Sequence, residues 1–252
     1  MVRCGEWSVA QAQNALRRGI GSADARRTIE QRSQQDWVGV DRTLADIRLP
    51  RGYRFDLLAR DEIPTLVEAI KAWFPEIEVG TASCYLREDF FRREVFFSGA
   101  REKDVLVVLI KKGDDLAGLF SCQRDCHALS LYARLGAIAP KHRGKRLGHV
   151  FPLLAEAIGR RIGMGMIYGM ATLKVPHVQR SFETLGWELI GITPGYDREM
   201  VSPGVIKRVF EAVYAKVLVT ERNLLPPRTR NLTKRTRAFF ELLFPGRRLQ
   251  RA

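Results

Sequence analysis

The chain has 252 residues, of which 46% are apolar, with four cysteines and a formal net charge of +14. That is length for one large domain, or a medium one with additions, and apolar content for a core that needs no disulfide staples. No run approaches the eighteen or so apolar residues that cross a bilayer, and the N-terminus carries Arg3 and Glu6 in place of an apolar signal core. A spanning helix and a secreted disulfide scaffold are therefore not expected, and the expected home is a reducing cytoplasm.

Residues 1–52 read as a polar N-terminal helical extension. Ser8 with Gln11 fits a capping box, Gly19 and Gly21 interrupt the pattern, and Ser22 opens a second charged helix to about residue 34. Trp37, Val38 and Val40 are the apolar residues that would dock it. The turn at Pro50-Arg51-Gly52 opens the main domain, residues 53–220.

Residues 53–60 read as a strand. Asp61 is placed to cap a helix whose Ile63, Leu66, Val67, Ile70, Trp73 and Phe74 share one face, and Pro75 stops it. An aromatic segment with Tyr85, Phe90, Phe91, Phe96 and Phe97 suits a further helix and a loop. Two apolar runs, 105–110 and 116–122, flank Lys-Lys-Gly-Asp-Asp and read as a hairpin. A turn at 124–127 leads into a third antiparallel strand that ends at Pro140. After a basic loop, Leu147, Phe151, Leu154, Ile158 and Ile162 repeat as the stripe of a helix packed on a sheet. Residues 166–173 read as a buried strand, 176–185 as a short helix stopped by Gly186, and 187–192 and 208–218 as two more strands.

Residues 221–252 form a basic C-terminal tail with nine Arg and Lys against Glu221 and Glu241, a net +7 that is half the total. Such charge attracts nucleic acid, anionic lipid, an acidic protein or a phosphorylated ligand without choosing among them. Within it, Phe239, Phe240, Leu243 and Phe244 are too apolar for a free linker and predict a short docked helix ended by Pro245-Gly246.

The stretch with most chemistry is the loop Arg143-Gly144-Lys145-Arg146-Leu147-Gly148. A helix start has N–H groups with no internal partner, glycines let a ligand approach the backbone, and nearby cations complete an anion site. A nucleotide P-loop does not fit, because Gly144-Lys145 is followed by Arg146 rather than Ser or Thr.

The element order of residues 53–218, together with this loop, resembles the GCN5-related N-acetyltransferase (GNAT) family. In that family the loop reads Arg or Gln, two residues, Gly, one residue, Gly or Ala, after a strand that ends in Val or Ile. Ile138, Arg143 and Gly148 hold those places here, and Arg146 stands where the middle glycine would be. The resemblance implies an α/β fold with a mixed, mostly antiparallel central sheet flanked by helices. It implies acetyl-CoA as co-substrate, with pantetheine along the backbone at Ile138 and the pyrophosphate on Arg143, Gly144, Lys145, Arg146, Leu147 and Gly148. It further implies transfer of an acetyl group to a primary amine, on a small molecule or a peptide, by direct attack in a ternary complex.

A second stretch, from Val175-Pro176 to Gly186-Trp187, is similar to the family's Asn-Pro helix that ends in Gly-Phe, with Val175 in place of the asparagine. Phe182 occupies the place of the tyrosine that commonly protonates the departing thiolate. A thiol leaves tolerably well unaided, its pKa being about 8.5, so this change would slow an enzyme rather than abolish it. Family members place Glu or His on the strand before the loop as a base; the matching positions here are Tyr132 and Arg134, neither a base at neutral pH. His127, at the start of that strand, titrates in a useful range and completes the candidate catalytic set. The alternative reading is an acyl-CoA-binding module with reduced catalysis, or an acyltransferase whose tail recruits a nucleic acid or an acidic carrier or peptide. Cys122, Cys126 and His127 lack a second ligand pair at workable spacing, and no metal is expected.

Overall fold

Every residue of the run Val105 to Ile110 is 3% exposed or less. A strand buried at both even and odd positions must be covered on both faces. The computed structural model, which describes residues 37, 39–98, 103–247 and 249, shows how. The two helices expected before residue 35, and Val38, lie outside the described residues.

Seven strands form one sheet: β1 (Tyr53–Leu57), β2 (Val105–Lys112), β3 (Asp115–Asp125), β4 (Ser130–Ile138), β5 (Met166–Thr172), β6 (Glu188–Ser202) and β7 (Val205–Val217). The order across it is β1-β2-β3-β4-β5-β7-β6, with β4 and β5 parallel and every other neighbouring pair antiparallel. This is the mixed, mostly antiparallel α/β arrangement expected from the sequence. The β2–β3 hairpin closes through Gly113-Asp114, with Gly113 at φ 58, a left-handed position that glycine takes without strain.

One face of the sheet is covered by α1 (Val40–Asp46), α4 (Val150–Arg161) and α5 (His177–Thr184). Trp37, Val40, Leu44, Leu154 and Ile158 share a core there with Leu106, Val108, Phe120, Leu131 and Ile167. The first residues described thus pack into the same core as the sheet. The other face is covered by α2 (Ile63–Trp73), α3 (Glu88–Glu94) and 3-10 turns at Pro75–Glu78 and Thr81–Leu86. Ile63, Leu66, Ile70, Tyr85 and Phe91 pack there on Val107, Leu109, Leu119 and Ala137. The start of α2 differs from the capping expected at Asp61: a 3-10 turn Arg60–Glu62 precedes the helix, and Glu62 reaches back to accept the Ala59 N–H at 3.0 Å.

The last two strands run well beyond their expected bounds. The β6–β7 hairpin extends to a turn at Pro203-Gly204 and carries register shifts, the largest between Thr193 and Asp197. In the tail, Thr233 caps α6 (Lys234–Leu243) by accepting the Thr236 N–H at 3.1 Å. The helix lies against β6, with Phe240 and Phe244 half-buried and their rings 5.1 Å apart, while Phe239 and Leu242 stay exposed.

Candidate active site: a parted strand pair above a basic loop

β4 and β5 pair only from Ser130↔Met166 to Ala133↔Gly169, although β4 continues to Ile138 and β5 to Thr172. The cause lies on the other side of β4. Its register with β3 slips between Cys122↔Ala133 and Ser121↔Leu135, so Arg134 is an extra residue in a bulge, and a bulge bends its strand. Beyond Arg134 the pair parts.

The parting exposes particular backbone groups. Ala139 donates its N–H to the Ala117 carbonyl at 2.9 Å, so by antiparallel alternation the groups of Ile138 and Gly136 point away from β3 into the gap. The Ile138 carbonyl accepts the Arg143 Nε at 3.2 Å. The two N–H groups remain as donors along a slot, without a partner strand among the described residues.

At the end of the slot the chain enters the loop. His142 is 4% exposed and bonds the Tyr53 hydroxyl through Nδ1 at 2.9 Å and Asp115 Oδ2 through Nε2 at 2.8 Å. Lys141 also donates to Asp115, at 2.7 Å, and the hydrogen bonds from Lys141 and His142 hold the Asp115 carboxyl below its ordinary range. The loop is thereby pinned to β1 and to the β2–β3 turn. Leu147, 1% exposed, anchors its other end with Ile110 and Ala117, so among the expected phosphate residues it can contribute only backbone.

Between these anchors Arg143, Gly144, Lys145 and Arg146 are exposed, as is Gly148 just beyond Leu147. Gly144 has φ 77 and Arg146 has φ 61 with ψ 15, and Arg146 runs directly into a 3-10 turn, Leu147–His149, and then α4. A left-handed residue followed by a helical turn directs successive N–H groups to one side, a concavity that suits an anion, and the helix start adds partial positive charge. The N–H groups of Gly144, Lys145, Leu147 and Gly148 have no acceptor among the described residues. A Cβ built on Gly144 or Gly148 meets nothing within 4 Å, so the space before the loop is open. Arg146 differs from glycine in its side chain, yet its backbone adopts a conformation glycine would take. The loop thus fits a pyrophosphate on donors, charge and room.

The face of the sheet opposite α4 holds the remaining candidates. Tyr132 and Tyr168, register partners across β4 and β5, stack with centroids 5.0 Å apart and planes at 13°. Burial pushes the Tyr132 phenol well above its usual range, which removes it as a base. Arg134 is gripped by Gln123 Oε1 at 2.6 Å and Cys84 Sγ at 3.7 Å, with its guanidinium 5.9 Å from the Tyr85 ring and 5.7 Å from the Phe90 ring. Burial also raises the Cys84 thiol, the opposite of what an activated nucleophile needs.

His127 is not brought to this place. It is exposed in the turn before β4, with its N–H bonded to Asp125 Oδ1 at 2.9 Å. That turn, residues 126–129, lies at the opposite end of the β4–β5 pairing from the parting beyond Ala133. Phe182 is core: 5% exposed, it stacks on Trp187 at 4.5 Å and lies 5.3 Å from the Tyr214 ring.

One residue absent from the sequence reading stands out. Glu211 on β7 lies opposite Thr172 of β5 and Thr193 of β6, half-buried, with no cation paired to its carboxylate among the described residues. Its neighbours Ala212 and Tyr214 face the α4 and α5 core, so by alternation Glu211 faces the side of Tyr132 and Tyr168. Burial first, then the nearby charges of Asp197 and Glu199, raise its carboxyl to about 7. Asp197 in turn holds the 3-10 turn above, accepting the Thr81 N–H and hydroxyl, each at 2.8 Å. Tyr196, which adjoins Tyr132, sits in the β6 bulge between Thr193 and Asp197. A lone glutamate between apolar strand residues was the available signal, but its place opposite the end of β5 depends on a pairing the sequence does not state.

No protein-family model matches the sequence, and no curated protein matches it in a sequence search. Solved structures do match in fold. Mutant forms of the spermidine/spermine N-acetyltransferase SpeG from Vibrio cholerae align with a TM-score of 0.53 at 12% identity, over 67% of this chain and 95% of theirs. The ribosomal-protein-S5-alanine acetyltransferase from Vibrio fischeri aligns with a TM-score of 0.52 at 8% identity, over 68% of this chain and 97% of its own. yncA from Salmonella typhimurium, solved with its cofactor acetyl-CoA, aligns with a TM-score of 0.50 at 13% identity, over 68% and 96%. The chain therefore has the GNAT fold.

Proposed function

We propose that this protein is an acyl-CoA-dependent N-acyltransferase that moves an acetyl group from acetyl-CoA to a primary amine. The observation that carries this reading is the continuity of the site. A loop suited to pyrophosphate opens into the slot between β4 and β5, and Glu211 lies opposite the C-terminal end of β5, on the same side of the pairing as the slot. Arg143, Lys145 and Arg146 would hold the phosphates together with the N–H groups of residues 144–148. The N–H groups of Gly136 and Ile138 would line the pantetheine arm.

Acetyl-CoA supplies an acyl group activated as a thioester. An amine reaches the site as an ammonium ion and must lose a proton before its lone pair can attack. Glu211, whose carboxyl is raised to about 7, is the group placed to accept that proton directly or through a water. A C–N bond then forms as the C–S bond breaks, and the thiolate leaves with the electron pair. With Phe182 in the core, no side chain at that position donates a proton to it. The low thiol pKa of about 8.5 lets solvent complete the step.

Glu211 bears on the alternative of a module with reduced catalysis, because it supplies from β7 the carboxylate that β4 lacks. The test is thiol release from acetyl-CoA across a broad panel of primary amines. Turnover with at least one, rising with pH through about 7, is expected. Acetyl-CoA binding with no turnover on any amine supports the binding module, and no binding at all ends both readings.

A further inference from the structure

The acceptor face holds two charges that the protein leaves unmatched. The Arg134 guanidinium is half-buried, and its partners are neutral: Gln123, Cys84 and Tyr85 as hydrogen-bonding groups, and the Phe90 ring. No carboxylate lies within ion-pair distance of it among the described residues. Glu211 is the mirror case, half-buried with like charges nearby and no cation. Among the other ions around the cleft, Glu199 pairs with Lys174, and Asp197 is held by two hydrogen bonds from Thr81. Desolvating a charge without a counter-charge is costly, and a fold that carries two such ions on one face is complementary to a ligand that brings both opposites.

Their placement allows one small molecule to meet both. Arg134 follows the Ala133↔Gly169 pair on β4, and Glu211 lies opposite Thr172, two strands across and about two residues further along. Strand spacing and rise put their Cα atoms about 12 Å apart or more where the strands part. That is too far for a direct ion pair and near enough for an acceptor whose opposite charges are a few bonds apart. Met170 of β5, half-buried on the same face by alternation, lies between them, with the stacked Tyr132 and Tyr168 beside Arg134.

We infer that the acceptor is a primary amine that also carries a carboxylate, an amino-acid-like zwitterion, with its carboxylate on Arg134 and its amine directed to Glu211. This rests on the N-acyltransferase reading and narrows its acceptor. The planar fork of an arginine matches a carboxylate by two parallel hydrogen bonds, and Gln123 fixes its rotation. A purely cationic acceptor such as a polyamine would meet the Arg134 charge as a repulsion.

The test compares amines that differ only by a carboxylate: L-lysine with cadaverine, L-leucine with isopentylamine, and L-tyrosine with tyramine. In at least one pair the carboxylated member should show a kcat/KM about 10- to 100-fold higher, the scale of a hydrogen bond to a charged group. Arg134→Gln should collapse that ratio through KM, and Arg134→Lys should restore part of it. Acetyl-CoA affinity and thermal unfolding of both variants serve as controls for folding. Equal or better use of the decarboxylated members, or a ratio untouched by Arg134→Gln, overturns the inference while leaving acyl transfer intact. If no amine turns over, each carboxylated amine is titrated into the acetyl-CoA complex by calorimetry. Binding lost in Arg134→Gln then supports the inference, and absence of binding overturns it. Failure of acetyl-CoA itself to bind is a separate result that removes the parent reading.

Discussion

Glu211 and Arg146 carry the account at the scale of single residues. A carboxyl raised to about 7 predicts that kcat/KM rises with pH through that value and then levels. Glu211→Gln should remove that limb of the profile and lower the rate by about 10²–10⁴-fold, the usual worth of a positioned base. The same shift has a consequence for stability. The folded state holds this proton more tightly than the unfolded chain, whose carboxyl titrates near the ordinary 4.5. Its stabilisation of the fold is complete below the unfolded value and is lost as pH rises towards 7. Glu211→Gln is therefore expected to unfold at a higher temperature than the wild type above neutral pH, with the difference vanishing in acid. At Arg146 the left-handed backbone costs a side-chain-bearing residue about 1–2 kcal/mol, partly offset in glycine by about 0.5–1 kcal/mol of chain entropy. Arg146→Gly should leave denaturant stability unchanged or slightly raised, while weakening acetyl-CoA binding and its dependence on salt.

Among the elements, the loop owes its shape to the Tyr53-His142-Asp115 chain beneath it. His142→Leu leaves a part-buried tyrosine hydroxyl without its partner and Asp115 with Lys141 alone, and should cost about 1–3 kcal/mol in denaturant unfolding. It should also raise the KM for acetyl-CoA more than it lowers kcat, because the loop and not the acceptor face is loosened. Much at this scale was legible in the sequence. The β2–β3 hairpin and the strand-loop-helix around residues 138–148 are encoded locally, by apolar runs, glycines and charge, and they appear where those signals lie. The outer half of the β6–β7 hairpin was not legible. Pro194-Gly195 reads as a break but lies in a bulge, with Gly195 at φ 65, inside a strand of fifteen residues. The parting of β4 from β5 was hidden for a related reason: one extra residue at Arg134 has no signature until β3 is laid beside it.

Across the whole molecule, the sheet separates two tasks. α4 lies on one face and Tyr132, Arg134, Tyr168 and Glu211 on the other, with the loop at the edge between them, where Arg143 stacks on Phe74 at 5.1 Å. In the proposed reaction the two substrates would meet there from opposite directions. Glu211 could not be assigned from sequence because its importance arises from β7 lying between β5 and β6, out of chain order. The tail is peripheral to this arrangement. α6 rests on β6, and Arg247 reaches Glu188 at 3.2 Å on the surface, a kind of pair worth about 0–1 kcal/mol. Ending the chain after residue 226 should lower the unfolding temperature only slightly and leave thiol release with a small acceptor intact.

The claim on which everything else stands is that the slot and its loop hold acyl-CoA, and titration calorimetry of acetyl-CoA into the purified protein tests it most directly. One site per chain is expected, with an affinity that falls with added salt and at least a tenfold loss when Arg143, Lys145 and Arg146 are replaced together by alanine in a protein that still unfolds cooperatively. Heat indistinguishable from dilution, or an affinity the triple replacement leaves unchanged, would contradict it.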